Sequence, residues 1–297
     1  MAAKDSIAIL GMGKVGTAVG CLLRSAGYRI VAITSRSTAS AEKAVKYTGG
    51  KVYVNLAGAA SRAEAVFITT GDDAIVSVCE EIVREGGVGA GKKVIHMSGA
   101  GGLDLLESAR TAGAHVASIH PIQSFADVEG ALKNIPGSTF GVTAEEEIED
   151  WTVQVVKDLG GVPFFVSDAD RPLYHAAACM TSNYLVTLMY IVEEIYGTIG
   201  LSREKAVKSF WPLVKGTIEN IETRGTVQSL TGPVSRGDIG TIKKHLQTLR
   251  GKLPEFLDVY GIMGAFAADI SLKRGTLTHE RAEEIKSLLL RGGSRDE

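Results

Sequence analysis

The sequence predicts a mainly parallel, doubly wound α/β domain followed by an all-helical domain. Three observations carry that expectation. Short apolar strands alternate with helices of about ten residues through the first half of the chain, the pattern of βαβ units. A glycine-rich turn joins the first of these strands to the first helix. From Asp170 onward the alternation stops and nearly every segment has helical period.

The elements follow in order. Ser6–Leu10 is short and wholly apolar, as expected of a strand covered on both faces. Lys14–Ala26 has helical period, Arg29–Thr34 is a strand, and Ala39–Tyr47 a helix. Strand signals at Lys51–Val54 and Ala65–Thr69 precede a helical pattern from Asp73 to Arg84. Asp73 itself is expected to be the N-cap there. Lys93–His96 and His115–Ile119 are strands with Leu103–Thr111 helical between them. Ser138–Val142, a helix at Glu145–Leu159 and a strand at Val162–Val166 complete the alternation. Beyond it, one long helix is expected from Arg171 to about Gly197. A second starts after Ser202 as N-cap, with Ala206, Val207, Phe210, Val214 and Ile218 on one face and Pro212 as a point of kinking. Thr231-Gly232-Pro233 breaks the pattern, and helices follow near Ile239–Leu249, Leu253–Leu272 and His279–Leu290. The expected domains are residues 1–167 and 168–297.

Composition narrows the class. The chain has 297 residues, of which 45% are hydrophobic and 22% charged, enough apolar material for two ordinary cores. The formal charge is −2, from 32 basic and 34 acidic side chains, so nothing favours a phosphate backbone, and nucleic acid is not an expected partner. Cys21, Cys79 and Cys179 are far apart and without C-x-x-C spacing, so neither a metal site nor a disulfide framework is expected. The first residues, Met1 to Asp5, run into a strand without an apolar leader, and the apolar stretch Ala176–Val192 is interrupted by Thr181, Ser182, Asn183 and Thr187. A cytoplasmic location without membrane association is therefore expected.

Gly11-Met12-Gly13-Lys14-Val15-Gly16 fits G-x-G-x-x-G. By itself the pattern is weak in a chain with 35 glycines. Here it follows a strand, opens a helix and starts the first βαβ unit, which is the context of a dinucleotide-binding fingerprint and a Rossmann domain. Gly11 makes the tight turn, Gly13 lets the backbone approach a pyrophosphate, and Gly16 permits close helix–strand packing. The free N–H groups of the helix start complete a site for the phosphates. At the end of the second strand an NAD enzyme places an acid to hold the ribose 2′-hydroxyl. This chain reads Thr34-Ser35-Arg36-Ser37-Thr38 instead. With no carboxylate and one guanidinium flanked by hydroxyls, Ser35 and Arg36 predict NADP; the alternative for Arg36 is an exposed loop arginine. A charge-assisted bond of roughly 1.5–3 kcal/mol corresponds to about a ten- to hundredfold preference.

The ends of later strands face the same crevice. Thr69-Thr70-Gly71-Asp72-Asp73 follows the fourth strand, placing Thr70 near the cofactor, and His96-Met97-Ser98-Gly99-Ala100 follows the fifth, placing Ser98 near the nicotinamide. His96 is expected to be a satisfied strand histidine. Reduction of a carbonyl needs a proton donor and groups that orient the substrate, and three stretches offer them. His120-Pro121-Ile122-Gln123-Ser124-Phe125 forms a loop at a strand's carboxyl end, with His120 and Ser124 as candidates. His175 and Cys179, four residues apart, share a helix face, with Asn183 another turn along. Thr231–Asp238 sets a rigid loop in which Arg236 is a candidate clamp for a carboxylate. Each has a structural alternative: a turn histidine, a polar stripe satisfying backbone, and an Arg236–Asp238 loop pair.

Taken together, Gly11–Gly16, His96–Ala100, His120–Phe125, His175–Asn183 and Thr231–Asp238 resemble a bacterial family with a Rossmann-like NADP domain followed by a helical domain of unknown function. The resemblance covers nearly the whole chain. More broadly it is to the 6-phosphogluconate dehydrogenase-like superfamily, which includes β-hydroxyacid dehydrogenases, ketopantoate reductases, pyrroline-5-carboxylate reductases and prephenate dehydrogenases. It implies that the helical domain builds the substrate site and a homodimer interface, and it makes an NADPH-dependent reductase of a small 2-keto acid, ketopantoate-like, one concrete candidate. The β-hydroxyacid dehydrogenases and ketopantoate reductases carry a catalytic lysine four residues before an asparagine. Asn183 matches that asparagine, but the lysine's place holds Cys179, so the proton donor lies elsewhere: His175, one turn earlier, is the nearest replacement, with His120 the alternative. The His120-Pro121 pair resembles the His-Pro loop of prephenate dehydrogenases and implies a substrate role for His120. The alternatives are an imine reductase of the pyrroline-5-carboxylate type and a regulator that binds NADP without turnover.

Overall fold

Residues 4–291 are described by a computed structural model. Its first elements are β1 (Ser6–Leu10), α1 (Lys14–Ser25), β2 (Arg29–Thr34), α2 (Thr38–Thr48), β3 (Lys51–Val52), α3 (Leu56–Ala60), β4 (Ala65–Ile68) and α4 (Ile75–Arg84). Then come β5 (Lys93–His96), α5 (Glu107–Thr111), β6 (His115–Pro121), α6 (Val128–Asn134), β7 (Thr139–Ala144), α7 (Glu149–Asp158), β8 (Val162–Phe165) and α8 (Arg171–Cys179). The eight strands form one sheet in the order β3-β2-β1-β4-β5-β6-β7-β8. Every pairing is parallel except β6 with β7, where His120 lies opposite Gly141.

The chain starts at β1, builds outward to β3, then crosses back to lay β4 on the other side of β1. That reversal opens a crevice at the carboxyl ends of β1 and β4, the usual ligand position in an open α/β sheet. Both sheet faces are covered. Ile7, Ile9, Phe67 and Ile95 pack on one side with Leu23 and Val155; Ala8, Val66, Ile68 and Val94 pack on the other with Ile75 and Ile82. This two-sided burial is why the strands read as continuous apolar runs.

Several boundaries differ from the sequence expectation, each for a visible reason. β6 runs on through His120 and Pro121, which the sequence placed in a loop, because β7 pairs antiparallel with them. α3 and α6 were not expected. They are too short to show a period, and each is held by an N-cap side chain: Asn55 accepts from the Gly58 N–H, and Asp127 from the Gly130 N–H at 2.6 Å. Asp73 is not an N-cap; it lies inside a 3₁₀ turn, Asp72–Ala74, that precedes α4.

The chain divides into two compact units at Tyr184/Leu185. Residues 168–184 go with the sheet because the Arg171 side chain is fully buried there, donating to the Ser98 carbonyl at 2.8 Å and the Thr143 hydroxyl at 2.7 Å. The long helix expected from Arg171 to Gly197 is interrupted: α8 passes into a π-turn at Met180–Tyr184, the kind of insertion that re-aims side chains near functional sites.

The second unit contains α9 (Leu185–Thr198), α10 (Arg203–Ser229), α11 (Ile239–Lys252), α12 (Leu257–Arg274) and α13 (His279–Arg291). α10 continues well past Ile218, and its non-helical break is at Gly225, φ +77°, rather than at Pro212. The core of this unit is Ile242, Leu246, Leu257, Ala268, Ala282, Ile285 and Leu289. α12 and α13 approach closely at Gly261, where a Cβ would sit 2.6 Å from the Leu289 carbonyl oxygen. Among the described residues no helix is long and apolar enough to cross a membrane, and the three cysteines are free thiols.

Candidate active site at the carboxyl edge of the sheet

The glycine turn is clasped from two sides. The Gly11 and Met12 N–H groups both donate to the Thr34 carbonyl, at 3.0 and 3.1 Å, and the Thr69 hydroxyl donates to the Gly11 carbonyl at 2.6 Å. Gly11 sits at φ +115°, and a Cβ there would lie 2.8 Å from the Thr69–Thr70 peptide. At Gly16 a Cβ would run into the Gly11 carbonyl and the Thr69 hydroxyl, so α1 can seat this close to the sheet only on glycine. Gly13 differs: nothing lies within 4 Å of its missing Cβ. Lys14 is exposed and Val15 half-buried, so the start of α1 presents an open cradle of backbone N–H groups with no acidic side chain in its first turn.

Two further features fit a bound nucleotide. The Thr70 hydroxyl is buried and has no partner among the described residues, an orphan donor at the reversal point of the sheet. Ser35 is half-buried at the end of β2, and the Arg36 guanidinium beside it is exposed and makes no bond to the described residues. A cradle, an orphan hydroxyl and an unspent cation together suit a dinucleotide with negative charge at the β2 end.

Along β5 and β6 the same sheet edge carries a polar network. The Ser98 hydroxyl donates to Asp72 at 2.7 Å and accepts from the Gly101 N–H at 3.0 Å. His96 is fully buried; its Nδ1 accepts from the Ser98 N–H at 3.1 Å, which leaves Nε2–H to donate to the Gly102 carbonyl at 2.9 Å. Burial is the main reason its basicity falls to a pKa of about 4. His96 is thus a neutral strut holding the 98–102 loop, and Ser98 braces that loop with its one hydroxyl proton.

At the far end of this edge, two imidazoles meet. The His120 and His175 rings pack edge to face with centroids 5.6 Å apart, and both lean over Gly99, where any Cβ would strike them. His120 Nδ1 is 2.8 Å from the Tyr174 hydroxyl. Burial, then His175 and Arg171, push the His120 pKa down to about 4, so the ring is neutral at pH 7. His175 has Cys179 Sγ at 3.9 Å from both ring nitrogens, an evenly shared contact that selects neither tautomer. The i, i+4 spacing read from the sequence is therefore realised.

Two residues of this group went unread in the sequence. Tyr174 sits beside His175, where the helical period gave it no separate meaning. Arg171 had a signal: a cation in the first turn of a helix opposes the helix dipole, which is unfavourable unless another need holds it there. Here it is 0% exposed, and among the described residues its Nε has no partner and no carboxylate forms an ion pair with it. Its positive charge lies under the loop that carries Ser98.

The other candidates are spread more widely. Asn183 is exposed in the π-turn. Ser124 is exposed on the loop after β6, its N–H bonded to the Gln123 side chain at 2.8 Å. Arg236 belongs to the second unit and is exposed. The expected alternative, an Arg236–Asp238 bond, is not formed; Asp238 caps α11 by accepting from Thr241 N–H at 3.0 Å and its hydroxyl at 2.6 Å. His115, Glu145 and Glu147 could converge on a cation, but Glu145 already binds Arg110 at 2.9 Å and the Val116 N–H at 2.9 Å.

Comparison with known proteins gives the context for this arrangement. A Rossmann-like domain model matches residues 1–121, and a domain of unknown function, DUF2520, matches residues 138–266. No curated protein matches the chain in sequence. Among solved structures, a protein of Thermotoga maritima is 24% identical with a TM-score of 0.72, covering 89% of this chain and 99% of its own. A provisionally assigned NADP oxidoreductase of Bacteroides fragilis is 19% identical with a TM-score of 0.68, covering 92% and 98%. A pyrroline-5-carboxylate reductase of Coxiella burnetii is 18% identical with a TM-score of 0.58, covering 95% and 98%. These neighbours share the fold.

Proposed function

We propose that this chain, which joins a Rossmann-like domain to a DUF2520 domain, is an NADPH-dependent reductase of a small carboxylated 2-keto compound. The observation that carries the reading is the row of polar groups along one sheet edge. It starts at the open Gly13 cradle and the orphan Thr70 hydroxyl and ends at the His120–His175 pair. Gly11, Met12, Gly13, Lys14, Val15 and Gly16 would hold the pyrophosphate, and Ser35 with Arg36 the 2′-phosphate. NADPH supplies a hydride when bound.

The residues then divide the remaining work. His120, neutral at pH 7, is a poor source of a full proton, so His175 is assigned as the acid at the developing alkoxide. Asn183 and Ser124 orient the substrate.

Titration with NADPH and NADH, followed by nucleotide fluorescence, tests the cofactor. NADPH is expected to bind tighter, and Arg36→Ala should erase about ten- to a hundredfold of that preference. An unchanged ratio removes Arg36 from the site, and binding of neither nucleotide by the folded protein removes the enzyme reading. A panel of keto acids and cyclic imines then follows. Oxidation of NADPH by any member excludes a purely sensing role.

One observation favours a second reading, reduction of an imine. With His120 held neutral, the site is short of acid, and an imine can arrive already protonated. The pyrroline-5-carboxylate reductase among the structural neighbours acts on a C=N bond of this kind.

We also infer that the protein is a homodimer. α9 has none of its 14 residues buried, although most are apolar, and Val186 (69%), Tyr190 (54%) and, on α10, Leu213 (72%) stand exposed. A continuous apolar face of this kind needs a cover, and a second copy supplies a matching one. Sedimentation should show a dimer at micromolar concentration; a monomer throughout refutes the inference.

A further inference from the structure

We propose that Tyr174 locks His120 in the Nε2–H tautomer, so that the imidazole presents a fixed neutral hydrogen-bond donor at the crevice. Tyr174 is then a positioning residue that acts through His120. The role of His120 toward a substrate rests on the proposed function; the tautomer itself does not.

The Tyr174 hydroxyl carries one hydrogen and two lone pairs. Its oxygen lies against the Gly141 backbone, where a Cβ would collide with it. For the hydroxyl hydrogen there are two places to go: His120 Nδ1 at 2.8 Å, or the His120 carbonyl at 3.4 Å. An O–H···O bond is normally 2.5–3.0 Å, so the carbonyl at 3.4 Å is a poor acceptor, whereas 2.8 Å to nitrogen is ordinary. Were Nδ1 to carry the proton and donate, the half-buried phenol hydrogen would be left with only the long contact, a cost the other arrangement avoids. Nδ1 is therefore the acceptor, and the ring's own proton lies on Nε2. That nitrogen is one of the atoms nearest the missing Cβ of Gly99, at 2.9 Å, on the side shared with His175.

The fold makes room for this contact on purpose-built ground. His120 and Gly141 face each other across the β6–β7 pairing, and a Cβ at Gly141 would collide with the Tyr174 hydroxyl. Only a bare backbone at that register lets the phenol reach both strands. Burial and the unpaired Arg171 charge oppose protonation of the ring, so the lock acts on a neutral imidazole. What results is a donor whose direction is set by the second nitrogen's partner. Such a preorganised donor stabilises negative charge on an oxygen without giving up its proton.

Long-range proton–nitrogen correlation spectra of full-length, ¹⁵N-histidine-labelled protein at pH 7 read the tautomer directly. His120→Gln identifies its signals among the six histidines. The wild type should show Nε2 protonated and Nδ1 bare. Tyr174→Phe should lower the tautomer ratio by roughly tenfold, the size expected for one lost hydrogen bond, and Gly141→Ala, which displaces the phenol, should do the same. A wild-type His120 protonated at Nδ1 overturns the proposal, and this arm does not depend on any variant folding. A tautomer unchanged in Tyr174→Phe overturns it too. Failure of NADPH to bind would strike the proposed function while leaving these spectra untouched.

Discussion

Replacing His175 by alanine is expected to cut turnover of any accepted keto acid by about 10²–10⁴-fold, the usual contribution of a positioned acid, while NADPH affinity changes little. The reason is placement. His175 touches Gly99, His120 and Cys179 at the β6 end of the sheet edge, whereas the cradle proposed for the nucleotide lies at the β1–α1 turn and the β4 end. Steady-state kinetics and nucleotide fluorescence on the same variant check both halves. An equal loss of both would show that His175 supports the fold rather than the chemistry. Full activity on a cyclic imine with loss on keto acids would select the imine reading, since a substrate that arrives protonated does not need the acid.

Stability is expected to fall on the acid side, in a window that identifies the buried imidazoles. His96 and His120 are both held at a pKa of about 4 in the fold, against an ordinary 6.5 in the unfolded chain. Between those values the unfolded chain binds more protons than the folded one, so acid favours unfolding. Their contribution is complete above about pH 6.5, shrinks as pH falls toward 4, and levels off below. A shift of this size corresponds to at most about 3 kcal/mol for each ring. Asp158 and Glu64, whose folded pKa values are lowered by their hydrogen bonds, lose their contribution only below the unfolded carboxylate range, so the interval from pH 6.5 to 4.5 isolates the histidines. Urea midpoints at pH 7 and 4.5 test this. A flat profile across the interval would mean that neither ring is as shielded as the structure shows.

Much of this protein was legible because it is written in local pattern. Strand runs such as Ser6–Leu10 and Ala65–Ile68, the change to helical period after the last strand, and the Gly11–Gly16 spacing each concern a few successive residues. Their physical causes, two-sided burial and a turn that tolerates no Cβ, act over that same short range. His96 as a satisfied strand histidine and the shared face of His175 and Cys179 were legible for the same reason. What the sequence alone determined is therefore the fold class, the glycine cradle and the list of polar residues from which a site is assembled.

The tertiary structure decided how those residues are used. That β6 continues through His120 depends on an antiparallel partner 21 residues on, Gly141. The same pairing brings Tyr174, from α8, onto the back of the imidazole. Arg171 counts as an ordinary surface-type cation until β5, β7 and α8 close around it and strip away its water. The depressed basicity of His120 then follows from burial, from His175 and from that charge, none of which any local window contains. Tautomers, pKa values and unpaired charges are properties of distant groups brought within a few ångströms. They are set by packing between elements, which sequence pattern specifies only as an apolar face and not as a particular neighbour.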